Sequence, residues 1–364
     1  MKTTPTLVAA VRILTSAPAT SCRGGRTRTA ALVALALGLA PGCSERQRVL
    51  EQSWEVMGTF ASIQASAGDS DRVGEYAAAA REAFSDTERR MSIFNPASEI
   101  SRLNSAPRGT LAELSPSSAA VMELALGAAR LSGGAFDPTV GPLMDIWGFR
   151  SVKRDHPPSE AEIQGALARV GFAYVRMQGI LAAMDLQDGR VDLGGVAKGC
   201  AVDVAFDRIT SAGASNVLIN LGGNMRCAGH GSQTGAWTVG VRDPFNNGRV
   251  LGTLKLTGGM AVATSGHYEK FVTFDGRRYA HIMDPRSGRP VSGMAGVTVV
   301  SPKAGDADVL STSLFVLGPE AGEKMLASFP GSYALFVPDE QPIRLIMTPG
   351  FERFFTPSPL EKRP

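Results

Sequence analysis

The chain has 364 residues, 44% of them hydrophobic and 20% charged, the make-up of a globular protein with a substantial core rather than a fibrous or disordered one. Its 37 basic and 34 acidic residues leave a formal net charge of +3, and no basic run is interleaved with aromatics, which excludes a nucleic-acid binder recognised by charge.

The N-terminal stretch SCRGGRTRTAALVALALGLAPGCS carries Arg23, Arg26 and Arg28, then an apolar run from Ala30 to Ala40, small residues and Cys43. The run is too short to span a bilayer as a stable helix and reads as the core of a signal peptide. A cysteine directly after it matches the bacterial lipoprotein pattern, in which Cys43 becomes the lipidated first residue; the alternative is an ordinary export signal with an incidental cysteine. The expected organisation is a signal peptide over 1–43, a charged tether over 44–52, one folded domain over 53–356 and a tail over 357–364. That places the protein in the periplasm, lipid-anchored to a bacterial membrane. Removal of Cys22 and acylation of Cys43 leave Cys200 and Cys227, whose spacing fits no zinc pattern. They read as two small buried apolar residues, with a disulfide as the alternative.

Helical signals dominate the first half. Val73, Tyr76, Ala77, Ala80, Phe84, Thr87 and Met91 keep one face of a helix. Ser115 and Pro116 form an N-cap and first-turn pair before Val121, Leu124, Ala128 and Leu131, with Gly133 and Gly134 as the stop. Ser159 and Glu162 make a capping box ahead of Ile163, Leu167 and Val170, and Gly171 marks the end. The segment GGAFDPTVGPLMDIWGF (133–149) has the texture of a loop packing round a flat ligand.

DLGGVAKG, from Asp192 to Gly199, reads as a strand handing over to a helix. Glycines at a helix start let backbone N–H groups approach an anion, and Lys198 adds a mobile cation. By itself this is neither a Walker loop nor a dinucleotide fingerprint, and a tight turn with a surface lysine is the bland reading. Beyond it the chain is richer in strands: SNVLINLGG, AWTVGVRDP and GRVLGTLKL, then KFVTFDGRRYAHIMDP as a hairpin turning at Asp275–Gly276. ATSGHYEKF is a strand-to-loop segment with Thr264 and Ser265. GVTVVSP leads into a helix from Asp306 to Leu317. Helices and antiparallel strands mix without regular alternation, so the expected class is α+β.

Two constellations suggest chemistry. Asp308 and Thr312 lie four apart on one helical face with Ser311 beside them, an oxygen set suited to Mg²⁺, although an Asp near a helix start also serves as a cap. His281 precedes Asp284 and the turn Pro285–Gly288, which could present both side chains at a strand end. No serine sits in a nucleophile elbow and no HExxH occurs, so hydrolases of those kinds lack support.

In register, MGTF at Met57, MSIFNPASEISRLN at Met91, GGAFDPTVGPLMDIWGF, VDLGGVAKGCAVD, NLGGNMRCAG, ATSGHYEKF, HIMDPRSGRPV and ADVLSTSLFVLG resemble the bacterial FAD:protein FMN transferase family, the ApbE or "thiamine biosynthesis lipoprotein" family. The resemblance covers about residues 54 to 320. It implies an α+β fold related to duplicated T-fold units, with an FAD cleft and Mg²⁺ at the pyrophosphate. It implies transfer of FMN from FAD to a Thr or Ser hydroxyl of an exported acceptor with an Asp-Gly-x-Ser/Thr-Gly-Ala-Ser/Thr-like segment, releasing AMP. Carried over position by position, Met57, Phe94, Ala135, Phe136, Asp137, Asp192, Lys198 and Met283 would contact FAD. Gly195, Asp308, Ser311 and Thr312 would hold the metal. His281 is the expected proton acceptor, with Asp284 orienting it or serving instead. Cys200, Asn224 and His267 depart from the family's usual residues. An FAD pyrophosphatase and a non-catalytic flavin-binding lipoprotein are the competing readings.

Overall fold

Period-two alternation builds the centre of the fold. Along Val217–Leu221, the side chains of Val217, Ile219 and Leu221 join one apolar cluster while Leu218 joins another on the opposite face. That is the pattern of a strand buried on both sides. The structure is a computed structural model describing residues 49–150, 153–231 and 235–359. The expected leader and Cys43 lie outside the described residues.

Eight strands form the main sheet: β1 (Leu50–Val56), β2 (Thr59–Ala65), β3 (Val217–Leu221), β4 (Asn224–Cys227), β5 (Ala261–Gly266), β6 (Met294–Ser301), β7 (Tyr333–Pro338) and β8 (Ile346–Met347). Their spatial order is their chain order, and every neighbouring pair is antiparallel. The other described elements are inserted between consecutive strands, except the C-terminal Phe351–Arg353 turn and Phe355–Pro357 strand, which follow β8.

Helices α1 (Val73–Met91) and α3 (Ala197–Ser211) cover one face over β1 to β3, and α2 (Pro116–Leu131) and α4 (Ala304–Leu326) continue that layer over β5 to β7. On the other face a three-stranded sheet, Trp237–Arg242, Val250–Leu256 and Phe355–Pro357, packs Val239, Leu254 and Phe355 against Leu218, Met225, Val262, Val300 and Leu335. The class is α+β, as the mixture of patterns implies. No helix among the described residues is long and apolar enough to cross a membrane.

The local signals act as their chemistry requires. The face expected for the first helix is the buried face of α1. Ser115 accepts from the Ser118 N–H with Pro116 in the first turn, and Ser159 and Glu162 form the reciprocal capping box of the helix Glu160–Leu167. Cys200 and Cys227 are free thiols. Burial pushes both up from their ordinary value, Cys227 to about 12.

A buried carboxylate fastens α1 to the central sheet. Asp69 accepts from Tyr76 Oη at 2.6 Å, Ser215 N at 2.9 Å, Ser215 Oγ at 2.8 Å and Asn216 N at 2.7 Å. It ties the approach to α1 to the start of β3.

Two expectations are corrected. No strand leads directly into α3; Asp192 and Leu193 are irregular and Gly194 to Val196 is turn, because the Asp192 carboxylate accepts from its own Gly194 N–H at 2.8 Å, a local arrangement that competes with a sheet ladder, and from Arg150 across the fold. The last helix also runs beyond Asp306–Leu317. It starts at Ala304, where Ala304 and Gly305 donate to Asp203, and continues through a kink at Gly318 because Pro319, lacking an N–H, starts a further helical segment.

Candidate active site

The first turn of α3 crosses α4 at Gly199. A Cβ there would overlap the Ala304 carbonyl and stand 2.7 Å from Asp308 Cβ, so only glycine permits the crossing. The close approach lets the Gly199 N–H donate to Asp308 Oδ2 at 2.9 Å. Asp308 lies inside α4 rather than capping it, and its residue is 6% exposed. Burial pushes its carboxyl up from the ordinary value, against the pull of Lys198, the Gly199 N–H and the Asn224 amide.

One turn along α4, the hydroxyls of Ser311 and Thr312 meet Ser265 Oγ at the end of β5, at 2.9 and 3.3 Å. A Cβ on Gly195 would stand 4.0 Å from Thr312 Oγ1 and 3.0 Å from the Phe136 ring, which underlies the glycine turn. The four expected metal positions are therefore brought together from the glycine turn and α4. Among the described residues no three His, Cys, Asp or Glu side chains converge to hold a metal. The oxygen set is one carboxylate with hydroxyls and carbonyls, and the buried Asn224 Oδ1 beside it has no protein partner. A hard cation that keeps waters and shares ligands with a phosphate fits these donors.

A basic group closes the other side. Lys198 Nζ donates to the Gly194 carbonyl at 3.1 Å, and its charge acts on Asp308, Glu269 and His281 alike. His281 follows the hairpin of Phe271–Phe274 and Arg277–Ala280, which turns at Asp275–Gly276 as expected. Its backbone N–H donates to the Lys270 carbonyl at 3.0 Å, and Nδ1 faces the same oxygen at 3.2 Å. A carbonyl only accepts, so the proton sits on Nδ1 and the lone pair on Nε2. Burial pushes the imidazole down to about 4, with Lys270 and Lys198 acting in the same direction and the Lys270 carbonyl opposing. The ring is neutral at neutral pH and held in one orientation.

Asp284 does not orient it. Its carboxylate accepts from Arg286 Nε at 2.8 Å and Nη2 at 3.0 Å and from the Arg286 N–H at 3.0 Å, which makes it the organiser of its own turn. The expected flavin-contacting residues divide into two kinds. Phe94 is 78% exposed, and Asp192 and Lys198 are half-buried on the glycine turn. Met57 occupies the β1–β2 turn at φ 51°, a left-handed conformation uncommon for such a side chain, which it packs on both helix-side clusters. Ala135, Phe136 and Met283 are buried, and Asp137 spends its oxygens on Thr139 N, Thr139 Oγ1 and Phe172 N at 2.7, 2.6 and 2.9 Å. Burial pushes the Asp137 carboxyl up, against those donors.

Four further residues join the site. Ser265 completes the hydroxyl cluster, the Lys270 carbonyl orients His281, Arg150 holds Asp192, and Glu269 carries a buried Oε1 without a protein partner among the described residues. Ser265 was legible as a strand-end hydroxyl. A backbone carbonyl acting on a ring eleven residues away leaves no trace in residue type.

With this geometry the chain matches known proteins. The ApbE family model matches residues 57–336. The FAD:protein FMN transferase of Vibrio cholerae is 33% identical over 298 residues, 80% of this chain and 88% of the relative. That of Haemophilus influenzae is 31% identical over 298 residues, 79% and 86% of the two chains. Among solved structures, the flavin transferase ApbE from Vibrio cholerae superposes with a TM-score of 0.76 at 28% identity, covering 85% of this chain and 99% of that one. The ApbE protein from Thermotoga maritima gives 0.76 at 30% identity, with 84% and 99% coverage.

Proposed function

This chain belongs to the ApbE family, and from that premise we propose that it is an FAD:protein FMN transferase. It moves FMN from FAD onto a Thr or Ser hydroxyl of an exported acceptor carrying an Asp-Gly-x-Ser/Thr-Gly-Ala-Ser/Thr-like segment. The observation that carries this reading is His281, its Nδ1 proton held on the Lys270 carbonyl and its Nε2 free to accept, beside the Lys198 ammonium.

The acceptor hydroxyl is a weak nucleophile because its proton is held far above neutral pH. His281 Nε2 takes that proton as the hydroxyl oxygen bonds to the FMN phosphorus. The bond between the FMN phosphorus and the bridging oxygen breaks, and AMP leaves with that oxygen and its electron pair. In this reading Lys198 would neutralise phosphoryl oxygens, and the backbone of the Gly195 turn would approach them. Asp308, Thr312 and the Gly195 carbonyl, with Ser311 beside them, would hold Mg²⁺. When bound, that ion supplies charge neutralisation on the pyrophosphate. In this reading the basic and apolar leader exports the chain, and Cys43 anchors it by lipid in the periplasm.

The test is incubation with FAD, Mg²⁺ and an acceptor peptide, followed by mass spectrometry. The peptide gains one FMN and AMP appears in equal amount; excess EDTA or Asp308→Ala abolishes the gain. AMP and free FMN formed at one rate with or without peptide identify a pyrophosphatase. Tight FAD binding with neither product identifies a flavin carrier.

A further inference from the structure

Asn224 opens β4 directly after the tight turn Gly222–Gly223, whose φ values of 59° and 92° hold Leu221 and Asn224 as a facing pair. The turn delivers the Asn224 amide to the Asp308 carboxylate, whose charge the amide favours. The residue is 4% exposed. Nδ2 also reaches the Leu221 carbonyl, at 3.5 Å, a marginal contact. Oδ1 is buried and meets no donor among the described residues.

A bare buried acceptor has given up its hydrogen bonds to water without replacement, which destabilises the site. Turning the amide over does not relieve it, because Oδ1 would then face a carboxylate, acceptor against acceptor. Its complement is a donor from outside the chain, and a water is the smallest that fits. A hydrated divalent cation keeps several waters, and waters polarised by the ion are strong donors.

We propose that Asn224 is a positioning residue for the cation site: Nδ2 steadies the Asp308 carboxylate while Oδ1 accepts a hydrogen bond from a water of the cation's hydration shell. The inference rests on the reading of Asp308, Thr312 and Gly195 as the cation's ligands. It explains why an amide suits the position. A second carboxylate would repel Asp308 in the metal-free protein, and an apolar residue would leave the hydration shell without an acceptor.

Mn²⁺ is the probe. Free Mn²⁺ is counted by electron paramagnetic resonance in titrations of the wild-type protein, Asn224→Ala, Asn224→Asp and Asp308→Ala, and thermal unfolding is followed with and without Mn²⁺. Asn224→Ala weakens Mn²⁺ binding about 10–100-fold, the usual cost of removing an outer-shell partner. Asn224→Asp melts lower than wild type without Mn²⁺ and gains a larger rise in melting temperature when it is added. A merely structural amide would produce no such enlarged rise. Wild-type Mn²⁺ affinity in Asn224→Ala, with binding lost in Asp308→Ala, overturns the role of Asn224 and leaves the Asp308 site standing. Undiminished binding in Asp308→Ala, or none in the wild type, overturns the cation reading and this inference together. Should Asn224→Ala fail to fold, a Mn²⁺-induced rise in Asn224→Asp no larger than wild type overturns it.

Discussion

The Gly199 N–H and the Asp308 carboxylate meet at 2.9 Å because Gly199 has no side chain to hold α3 and α4 apart. Gly199→Ala drives a methyl into the Ala304 carbonyl, which is backbone and cannot swing away. The expected cost is at least about 1–3 kcal/mol of stability, together with loss of transfer as the donor leaves Asp308. Gly127 in α2 is the control, since a Cβ there meets nothing within 4 Å. Gly127→Ala should stabilise by about 0.5–1 kcal/mol. Urea unfolding of both variants checks the pair, and a Gly199→Ala protein as stable as wild type would sink the account.

His281 gives a pH dependence with a definite sign. Its folded value of about 4 lies below the ordinary 6.5, so the unfolded chain binds the extra proton between them. The stability contributed by neutral His281 is present above 6.5 and lost as the pH falls towards 4. His281→Gln should lose less melting temperature than wild type between pH 7 and pH 4.5. His281→Ala should lower transfer about 10²–10⁴-fold with FAD affinity little changed, read by flavin fluorescence and single-turnover kinetics.

Much of this was legible in the sequence where the cause is local. Ser115, the Ser159–Glu162 box and the Asp275–Gly276 turn act within a few residues of themselves, so residue type and spacing suffice. The i, i+4 relation of Asp308 and Thr312 survives for the same reason. The turn at Asp192 was misread as a strand because its deciding partner, Arg150, is forty-two residues away. Asp284 looked like the partner of His281 by nearness in sequence, yet Arg286 outcompetes the imidazole for it. The orphaned oxygens of Glu269 and Asn224 have no sequence signature, since being unpartnered depends on everything around them.

Asp69 is a stability determinant remote from the chemistry. Burial acts to raise its pKa, but donors from Tyr76, Ser215 and Asn216 outweigh it and hold the carboxyl below its ordinary value. Its contribution is present above the unfolded value near 3.8 and lost as the pH falls through the lower folded value. Asp69→Asn should cost about 1–3 kcal/mol at neutral pH and flatten the acid limb below pH 4, measured by chemical denaturation across pH. FAD affinity in the folded fraction should be unchanged.

Cys43 is testable separately from catalysis. The full-length protein should partition with membranes, and Cys43→Ser should release it to the periplasm or leave it unprocessed. A mature N-terminus mapped elsewhere than residue 43 refutes the anchor.

The chain-order sheet has a kinetic consequence. Every neighbouring strand pair is a chain-order pair, yet β2 and β3 meet only after the Ala65–Val217 closure, a loop of about 150 residues whose entropic cost must be met before the pairing returns anything. Until Val217 emerges during synthesis, the β1–β2 hairpin has α1 to cover Ala61, Ile63 and Ala65 but lacks β3 along its edge and α3 beside α1. The sheet is therefore completed late, when β3 pairs with β2. Fragments ending before β3 should expose the open β2 edge and be captured by chaperones and proteases, rather than persist as stable partial folds.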